Sequence, residues 1–397
     1  MRVLHILHTS LPFICGYSIR SDYIFRCQKE QGMDVAVVTS AQHPNGEAMQ
    51  EEIDGIPYWR TPALTGKQLP VLREAKLMST LRGRLERVVA EWKPDILHAH
   101  SPMLVGLPAM KVARKIGKPV VYEVRDLWEN ASVDRGKFGD TSLRYQAARR
   151  LETYLLRRAD AVVTICEKLR EELAPRVGRD DRLFVVDNGV DAANFQPDTP
   201  AGEARERWCL QDKKVIGYIG TFQPYEGLDV LINALPAIVK QDPAAHLVIT
   251  GSGGEEANLR AQATEMGLDN HVTFTGRVPH DQVGQLYAMA DMMVYPRILT
   301  RTTALTTPLK PLEAMAMGKP VLVSDVAAMR ELVQPGVTGG RFQAGNAEDL
   351  AAQCLKLLQA SEERQRLGRQ AREWILQERQ WPTLVKRYHE IYRAAAR

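Results

Sequence analysis

The sequence predicts two α/β domains in succession, each organised on a parallel β-sheet, and three observations lead there. Short apolar strands alternate with helical stretches from one end of the chain to the other, the pattern of βαβ units. The pattern restarts near the middle, where strand Lys214 to Ile219, Gly220, a loop and the helical run Leu228 to Val239 repeat the arrangement of Val3 to Glu30. A length of 397 residues also exceeds what one hydrophobic core usually serves.

In the first half, strand Val3 to Leu7 and a loop from Thr9 to Gly16 lead into a helix from Tyr17 to Glu30, and Gly32 turns the chain into strand Val35 to Thr39. A polar loop precedes an amphipathic helix from Val71 to Glu91. Pro94 introduces strand Ile96 to Ala99, helix Leu104 to Ile116 follows, and Pro119 opens strand Val120 to Val124. A basic helix from Leu143 to Arg158 and strand Ala161 to Ile165 nearly complete the domain. The turn in Asp187-Asn188-Gly189-Val190-Asp191 and the polar stretch Gln196 to Glu206 mark the linker. Beyond it, strands are expected at His246 to Thr250 and Val272 to Thr275, and a helix at His280 to Ala290. The last helical stretch, about Arg364 to Ala396, should kink near Pro382. The expected domains are residues 1–187 and 188–375, with 376–397 a terminal helix packing back on the first.

Five cysteines (Cys15, Cys27, Cys166, Cys209, Cys354) are odd in number and lack CxxC spacing, which argues against a disulfide framework or structural zinc and fits a reducing cytoplasm. The chain opens MRVLHIL straight into a strand pattern, and no run approaches the roughly 18 apolar residues of a membrane span, so a soluble or peripheral protein is expected. A net charge of +4 is too small to imply nucleic acid. It is unevenly spread: residues 1–180 hold 28 Lys+Arg against 22 Asp+Glu. Lys67, Arg73, Lys76, Arg82, Arg84 and Arg87 lie in or beside one helix, and Arg144, Arg149, Arg150, Arg157 and Arg158 in another. Such faces are more often simply solvated than functional, yet they would suit an anionic membrane.

The densest functional signal is DMMVYPRILTRTTALTTPLKPLEAMAMGKPVLVSD, residues 291–325. An apolar strand, Met292 to Tyr295, runs into a loop of Arg, Thr and Pro. A short helix led by Lys310 and Glu313 follows, and Gly318-Lys319-Pro320 turns into strand Val321 to Val323. A loop entering a helix offers unpaired N–H groups and a positive dipole end to phosphate oxygens, and Lys310 adds a full charge there. Glu313, one turn inside, is placed to accept hydrogen bonds from sugar hydroxyls.

This segment resembles the donor-binding signature of family-4 retaining glycosyltransferases, in which two glutamates separated by seven residues flank such a turn. Only the second is present here, and Leu305 stands in the place of the first. VVDNGVDAANFQP resembles the interdomain motif of these enzymes, ADAVVTICEKLREEL the closing strand and helix of their first domain, and VTFTGRVPHDQVGQLYAMADMMVYP the core of their second. The resemblance covers nearly the whole chain in the family order. It implies the GT-B fold, two Rossmann-like domains facing a central cleft. YEVRDLWE, GTFQPYEGLD and TPLKPLEAMAMGKP are similar to enzymes of bacterial exopolysaccharide clusters, some associated with exosortase systems.

Ligands of open α/β sheets bind beyond the carboxyl ends of the strands, so the strand-end loops are where the resemblance places the chemistry. Gly16 resembles the family glycine that lets backbone approach the donor phosphate, although Cys15-Gly16 stands where most relatives have a Gly pair. Arg125 occupies the position of a family histidine. It cannot be a general base, but it can stabilise charge on a leaving phosphate, while Asp126 could take the acceptor proton; the bland alternative is an Arg125–Asp126 salt bridge. His98 and His100 share one strand face, where a buried hydrogen-bonded histidine is the commoner outcome. Gly220-Thr221 and Glu226-Gly227 replace the family Gly-Arg and Lys-Gly, which implies that phosphate charge is met by Lys310, Arg297 and Arg301 instead. Gly251 opens a glycine-rich turn read as facing phosphate, and Arg277-Val278 lies where relatives hold the base. With Thr307 and Leu309 these complete the implied donor site, and Arg125, Asp126, Lys310 and Glu313 form the implied catalytic set.

The expected activity is transfer of a hexosyl group from a nucleotide diphosphate sugar to a glycan or lipid-linked acceptor, with retention and without a metal or bound cofactor. No DxD pair or His/carboxylate cluster with ligand spacing appears. The expected setting is cytoplasmic, with a peripheral association at the inner membrane face. Two rival readings are a non-hydrolysing nucleotide-sugar epimerase and a non-catalytic donor-binding subunit.

Overall fold

The computed structural model describes residues 1–44, 49–66, 69–201, 203–279 and 282–397; Lys67 and the expected helix start at His280 lie outside the described residues. The chain forms two compact units. One comprises Met1–Asn188 with Trp381–Arg397, the other Gly189–Gln380.

The first unit is built on eight strands: β1 (Arg2–Leu7), β2 (Asp34–Thr39), β3 (Gln50–Ile53), β4 (Ile56–Arg60), β5 (Ile96–His100), β6 (Val120–Val124), β7 (Ala161–Thr164) and β8 (Leu183–Val185). Their order across the sheet is β3-β4-β2-β1-β5-β6-β7-β8. All pairings are parallel except the β3–β4 hairpin at the edge. That hairpin falls where a polar loop was expected, because Gln-Glu-Glu-Ile has no apolar run and takes its strand character from pairing with β4 across Asp54-Gly55. The central strands β5, β6 and β7 are buried along their whole length, which is why they read as near-continuous apolar runs. The polar residues within them are His98, His100, Glu123 and Thr164, and with His5 of the neighbouring β1 each is 0 % exposed. Register sets His5 beside His98 and His100 beside Glu123.

The terminal helical stretch breaks at Arg379-Gln380, just ahead of the expected kink. Helix Ser361–Glu378 stays with the second unit, whereas helices Trp381–Val385 and Arg387–Ala395 belong to the first. Pro382 sits in the first turn of its new helix, where no N–H is required. Trp381 is buried and stacks on Tyr23 at 5.7 Å between centroids.

The second unit carries six parallel strands, β9 (Lys214–Thr221), β10 (Ala245–Ser252), β11 (Val272–Gly276), β12 (Met292–Tyr295), β13 (Val321–Ser324) and β14 (Gly339–Phe342), in the order β11-β10-β9-β12-β13-β14. β12 lies beside β9, so the loop after β12 leaves next to the loop after β9, at the switch point of the strand order. The helix expected from His280 is described from Val283 to Met289.

Candidate functional sites of the two units

In the second unit the loop after β12 enters helix Lys310–Ala316 with Leu309 at its cap and Pro311 in its first turn. Glu313 is buried there. Its Oε2 accepts hydrogen bonds from the Tyr287 hydroxyl at 2.8 Å and from Lys310 Nζ at 2.9 Å, and its Oε1 lies 3.3 Å from the same ammonium. Tyr295 donates to the Lys310 carbonyl at 3.0 Å. Burial first, then the Glu313 charge, raises the pKa of both tyrosines, so each hydroxyl keeps the proton it donates. These bonds hold the carboxylate in one orientation and leave acceptor capacity on Oε1. Thr307 is buried in the same loop, and Leu305 is half-buried.

Arg297 does not present its charge as expected. Its guanidinium forms a bidentate pair with Glu226, Nη2 to Oε1 at 2.7 Å and Nε to Oε2 at 3.1 Å, and Nη1 donates to the Thr306 carbonyl at 3.3 Å. Glu226 replaces the family lysine, and the same substitution that removes one cation neutralises another. Arg301 is exposed in the neighbouring loop.

The loops after β9, β10 and β11 meet. Gly251 pairs in register with Gly220 and Ser252 with Thr221, while Arg277 Nε donates to the Ser252 hydroxyl. Gly251 has φ +132°, and a Cβ there would overlap the Gly220 carbonyl, so packing alone demands this glycine. Val278 follows, half-buried.

In the first unit Arg125 is turned inward. Nε donates to Glu123 Oε1 at 2.9 Å, Nη1 to the Tyr17 carbonyl at 2.7 Å and Ser21 Oγ at 2.8 Å, and Nη2 to His100 Nδ1 at 2.7 Å. The Arg125–Asp126 pair offered as the bland alternative is therefore replaced by an Arg125–Glu123 pair, and the guanidinium that was expected to face a leaving phosphate gives four of its five N–H donors to protein groups. Glu123 also accepts from Arg20 Nε at 3.0 Å and from the Tyr388 hydroxyl. Burial would raise its pKa, but the two guanidinium groups more than offset this and hold it well below the usual carboxylate range.

The histidines extend a chain of hydrogen bonds around this carboxylate, and the ring is closed by a 3.5 Å approach of His98 to Glu123. His100 Nδ1 accepts from Arg125, so Nε2 carries the proton and donates to His5 Nδ1 at 2.9 Å; His5 Nε2 then donates to Gln28 Oε1 at 2.8 Å. Gln28 donates to the Tyr392 hydroxyl at 2.8 Å, which donates to His98 Nδ1 at 2.8 Å, leaving the Nε2 proton of His98 facing Glu123 Oε2 at 3.5 Å. Burial, foremost, lowers the pKa of all three histidines and keeps them neutral. Their nitrogens lie within 4.8 Å of one another, as a metal site would need. They do not fit one: the ligand lone pairs are engaged in the ring, and the Arg125 guanidinium against His100 would oppose a dication.

Asp126 follows Arg125 and is half-buried, with Ser101 Oγ at 3.5 Å. Burial raises its pKa above the ordinary carboxylate value, partly offset by Arg135, which makes the carboxylate a better proton acceptor than an exposed aspartate. Gly16, exposed at the start of helix Gly16–Glu30, is joined to this loop through the Arg125–Tyr17 bond, and a Cβ there would meet nothing within 4 Å. Packing does not demand that glycine, in contrast to Gly251. Sequence reading missed Arg20, Gln28, Glu123, Tyr287, Tyr388 and Tyr392. A lone acid within the apolar strand VVYEV was the one available signal.

Comparison with known proteins agrees with both halves. A model described as "Glycosyl transferase 4-like domain" matches residues 16–189, and one described as "Glycosyl transferases group 1" matches residues 203–374. A GDP-mannose-dependent α-(1-6)-phosphatidylinositol monomannoside mannosyltransferase of Mycobacterium tuberculosis is 30% identical over 238 residues, 59% of this chain and 62% of that protein's length. The sulfoquinovosyl transferase of Arabidopsis thaliana is 26% identical over 93% of this chain and 69% of its own. Among solved structures, sucrose-phosphate synthase of Thermosynechococcus elongatus superposes with a TM-score of 0.80 at 20% identity, covering 99% of this chain and 98% of the other. Anabaena HepE in complex with UDP superposes with 0.74 at 19%, covering 98% and 99%.

Proposed function

The chain belongs to the GT-B glycosyl transferases described by the group 1 and 4-like models, and on that premise we propose that it transfers a hexosyl group from a nucleotide diphosphate sugar to a glycan or lipid-linked acceptor with retention of anomeric configuration. The observation that carries the reading is the Glu313–Lys310–Tyr287 cluster after β12. A carboxyl group held in one orientation by a tyrosine and a lysine is suited to ribose hydroxyls, and the lysine beside it to the diphosphate. Backbone at Gly220, Thr221 and Gly251 would approach phosphate oxygens, and Arg277 and Val278 would border the base. Asp126 would receive the acceptor proton. Arg125 acts as a positioning residue, tying the Asp126 loop to the start of the Gly16 helix. Negative charge developing on the leaving diphosphate would be met by Lys310 and loop N–H groups, with no dedicated metal.

The acceptor reading is supported by a relative whose name specifies a phosphatidylinositol monomannoside mannosyltransferase, and the cell-surface or exopolysaccharide role by motif resemblance. The deciding experiment incubates the purified chain with UDP- and GDP-sugars, with and without chelator, and follows the anomeric proton of the product by NMR. Retained configuration with chelator-resistant turnover is expected. An epimerised donor without transfer, or an inverted product, would overturn the proposal. One observation favours a second reading: Arg297 and Lys310 are paired with Glu226 and Glu313, and Leu305 replaces a family glutamate, as a donor-binding subunit without turnover would permit.

A further inference from the structure

Isolated exposed leucines are ordinary, but the first unit gathers several at one place. Leu69, Val71 and Leu72, at the start of helix Pro70–Trp92, are 71%, 68% and 61% exposed, and Leu143, at the start of helix Leu143–Arg158, is 89% exposed. The two helix starts are tied together by Arg144 Nη2 to Glu74 Oε1 at 2.7 Å, a contact between the residue after Leu143 and the second residue after Leu72. Beside them exposed cations predominate, and of the nearby acids Glu74 is paired with Arg144 and Asp140 is half-buried. Arg73 and Lys76 flank the first segment, Arg149 and Arg150 the second, and Glu152, the one acid of helix Leu143–Arg158, is buried. The other cations singled out by sequence behave differently. Arg84 Nη2 donates to the Met49 carbonyl at 2.6 Å, and Arg82 pairs with Glu86.

We propose that this apolar ridge with its collar of cations inserts into the headgroup region of an anionic lipid bilayer. Leucines that protrude from helix ends and carry arginine on their flanks combine burial of apolar surface with attraction to anionic headgroups, and each signal alone binds weakly. Helices that follow parallel strands begin at the carboxyl end of the sheet, the end at which Gly16 and Asp126 also lie. The docked surface is therefore on the same end of the unit as the proposed acceptor loops, and a lipid-linked acceptor would reach them without leaving the membrane. This placement rests on the transferase reading for its purpose, but the docking itself does not.

The full chain is floated with vesicles of phosphatidylcholine alone and of phosphatidylcholine with phosphatidylglycerol, at low and high salt, and donor-nucleotide affinity is measured on the same preparations. The wild type binds the anionic vesicles in a salt-sensitive manner. Leu72→Asp and Leu143→Asp each lower partitioning by about tenfold or more, the cost of withdrawing one inserted leucine, with nucleotide affinity unchanged. If the wild type binds neither vesicle, the ridge is no membrane surface. If Arg150→Glu abolishes binding but the leucine variants bind as wild type, only a cationic face exists and insertion is refuted. If the wild type is a dimer that Leu143→Asp dissociates and no vesicle binds, the ridge belongs to a second copy. Vesicle binding without nucleotide binding would leave the docking standing and refute the transferase reading instead.

Discussion

Replacing Glu123 by glutamine tests whether the buried ring is one cooperative object. Glu123 is 0 % exposed and is the shared acceptor for Arg20, Arg125 and Tyr388, with His98 and His100 each at 3.5 Å. Glutamine keeps the shape but removes the charge and turns an amide NH₂ toward groups that are already donors. Two guanidinium groups are then left buried without a counter-charge, for which a cost of about 3–5 kcal/mol is expected. Tyr392→Phe breaks the ring elsewhere, leaving the Gln28 amide and His98 Nδ1 without a partner for about 1–3 kcal/mol. Urea unfolding followed by tryptophan fluorescence reads both, since Trp381 and Trp128 report on this unit. The two changes share partners, so the double variant should lose less than the sum of the singles. A loss below about 1 kcal/mol for Glu123→Gln, or strict additivity, would refute the cooperative ring. The sign with pH also follows. A carboxyl held below its ordinary 4.5 stabilises fully above that value and loses its contribution only as pH falls through the depressed one, so the wild type should keep this stability through mild acid.

Glu313→Ala should cost about 1.5–3 kcal/mol of donor binding or transition-state stabilisation with the fold intact, and unchanged affinity and turnover would remove Glu313 from the site. Arg297→Met should lower the unfolding midpoint, because it leaves Glu226 unpaired, yet change UDP affinity little; a selective loss of diphosphate over nucleoside affinity would restore the phosphate-binding role first expected of it. Lys310→Ala should show that selective loss, and calorimetry with UDP against uridine reads it. Glu152, pushed up to about 8 by burial and then by the charge of Glu129, stabilises fully below its ordinary 4.5 and loses that contribution as pH rises through about 8. Wild-type stability should therefore fall between those values with a limiting slope of about 1.4 kcal/mol per pH unit, and Glu152→Gln should flatten the profile.

What sequence could and could not disclose here has a physical pattern. Parallel strands buried on both faces, such as ILHAH and VVYEV, are visible because burial demands apolar runs, and the crossover led by Lys310 and Glu313 is visible because turn and helix signals are local. β3 and β14 escaped because their strand character depends on a neighbouring strand, not on their own residues. The polar ring escaped for a related reason: Gln28, Glu123 and Tyr392 are separated by tens to hundreds of positions, and only the folded chain brings Tyr392 to His98.

The same limit explains the role first expected of Arg297. Read along the chain, the missing cations at Thr221 and Glu226 make every nearby arginine look like a replacement. In space, the substitution to Glu226 creates a carboxylate whose nearest way of being neutralised is Arg297 itself, with two hydrogen bonds at 2.7 and 3.1 Å. A change that deletes a charge and one that reverses it are thus not equivalent at a phosphate site. The reversal recruits a second cation away from the ligand, so any diphosphate held here must depend more on Lys310 and backbone N–H groups than sequence comparison implies.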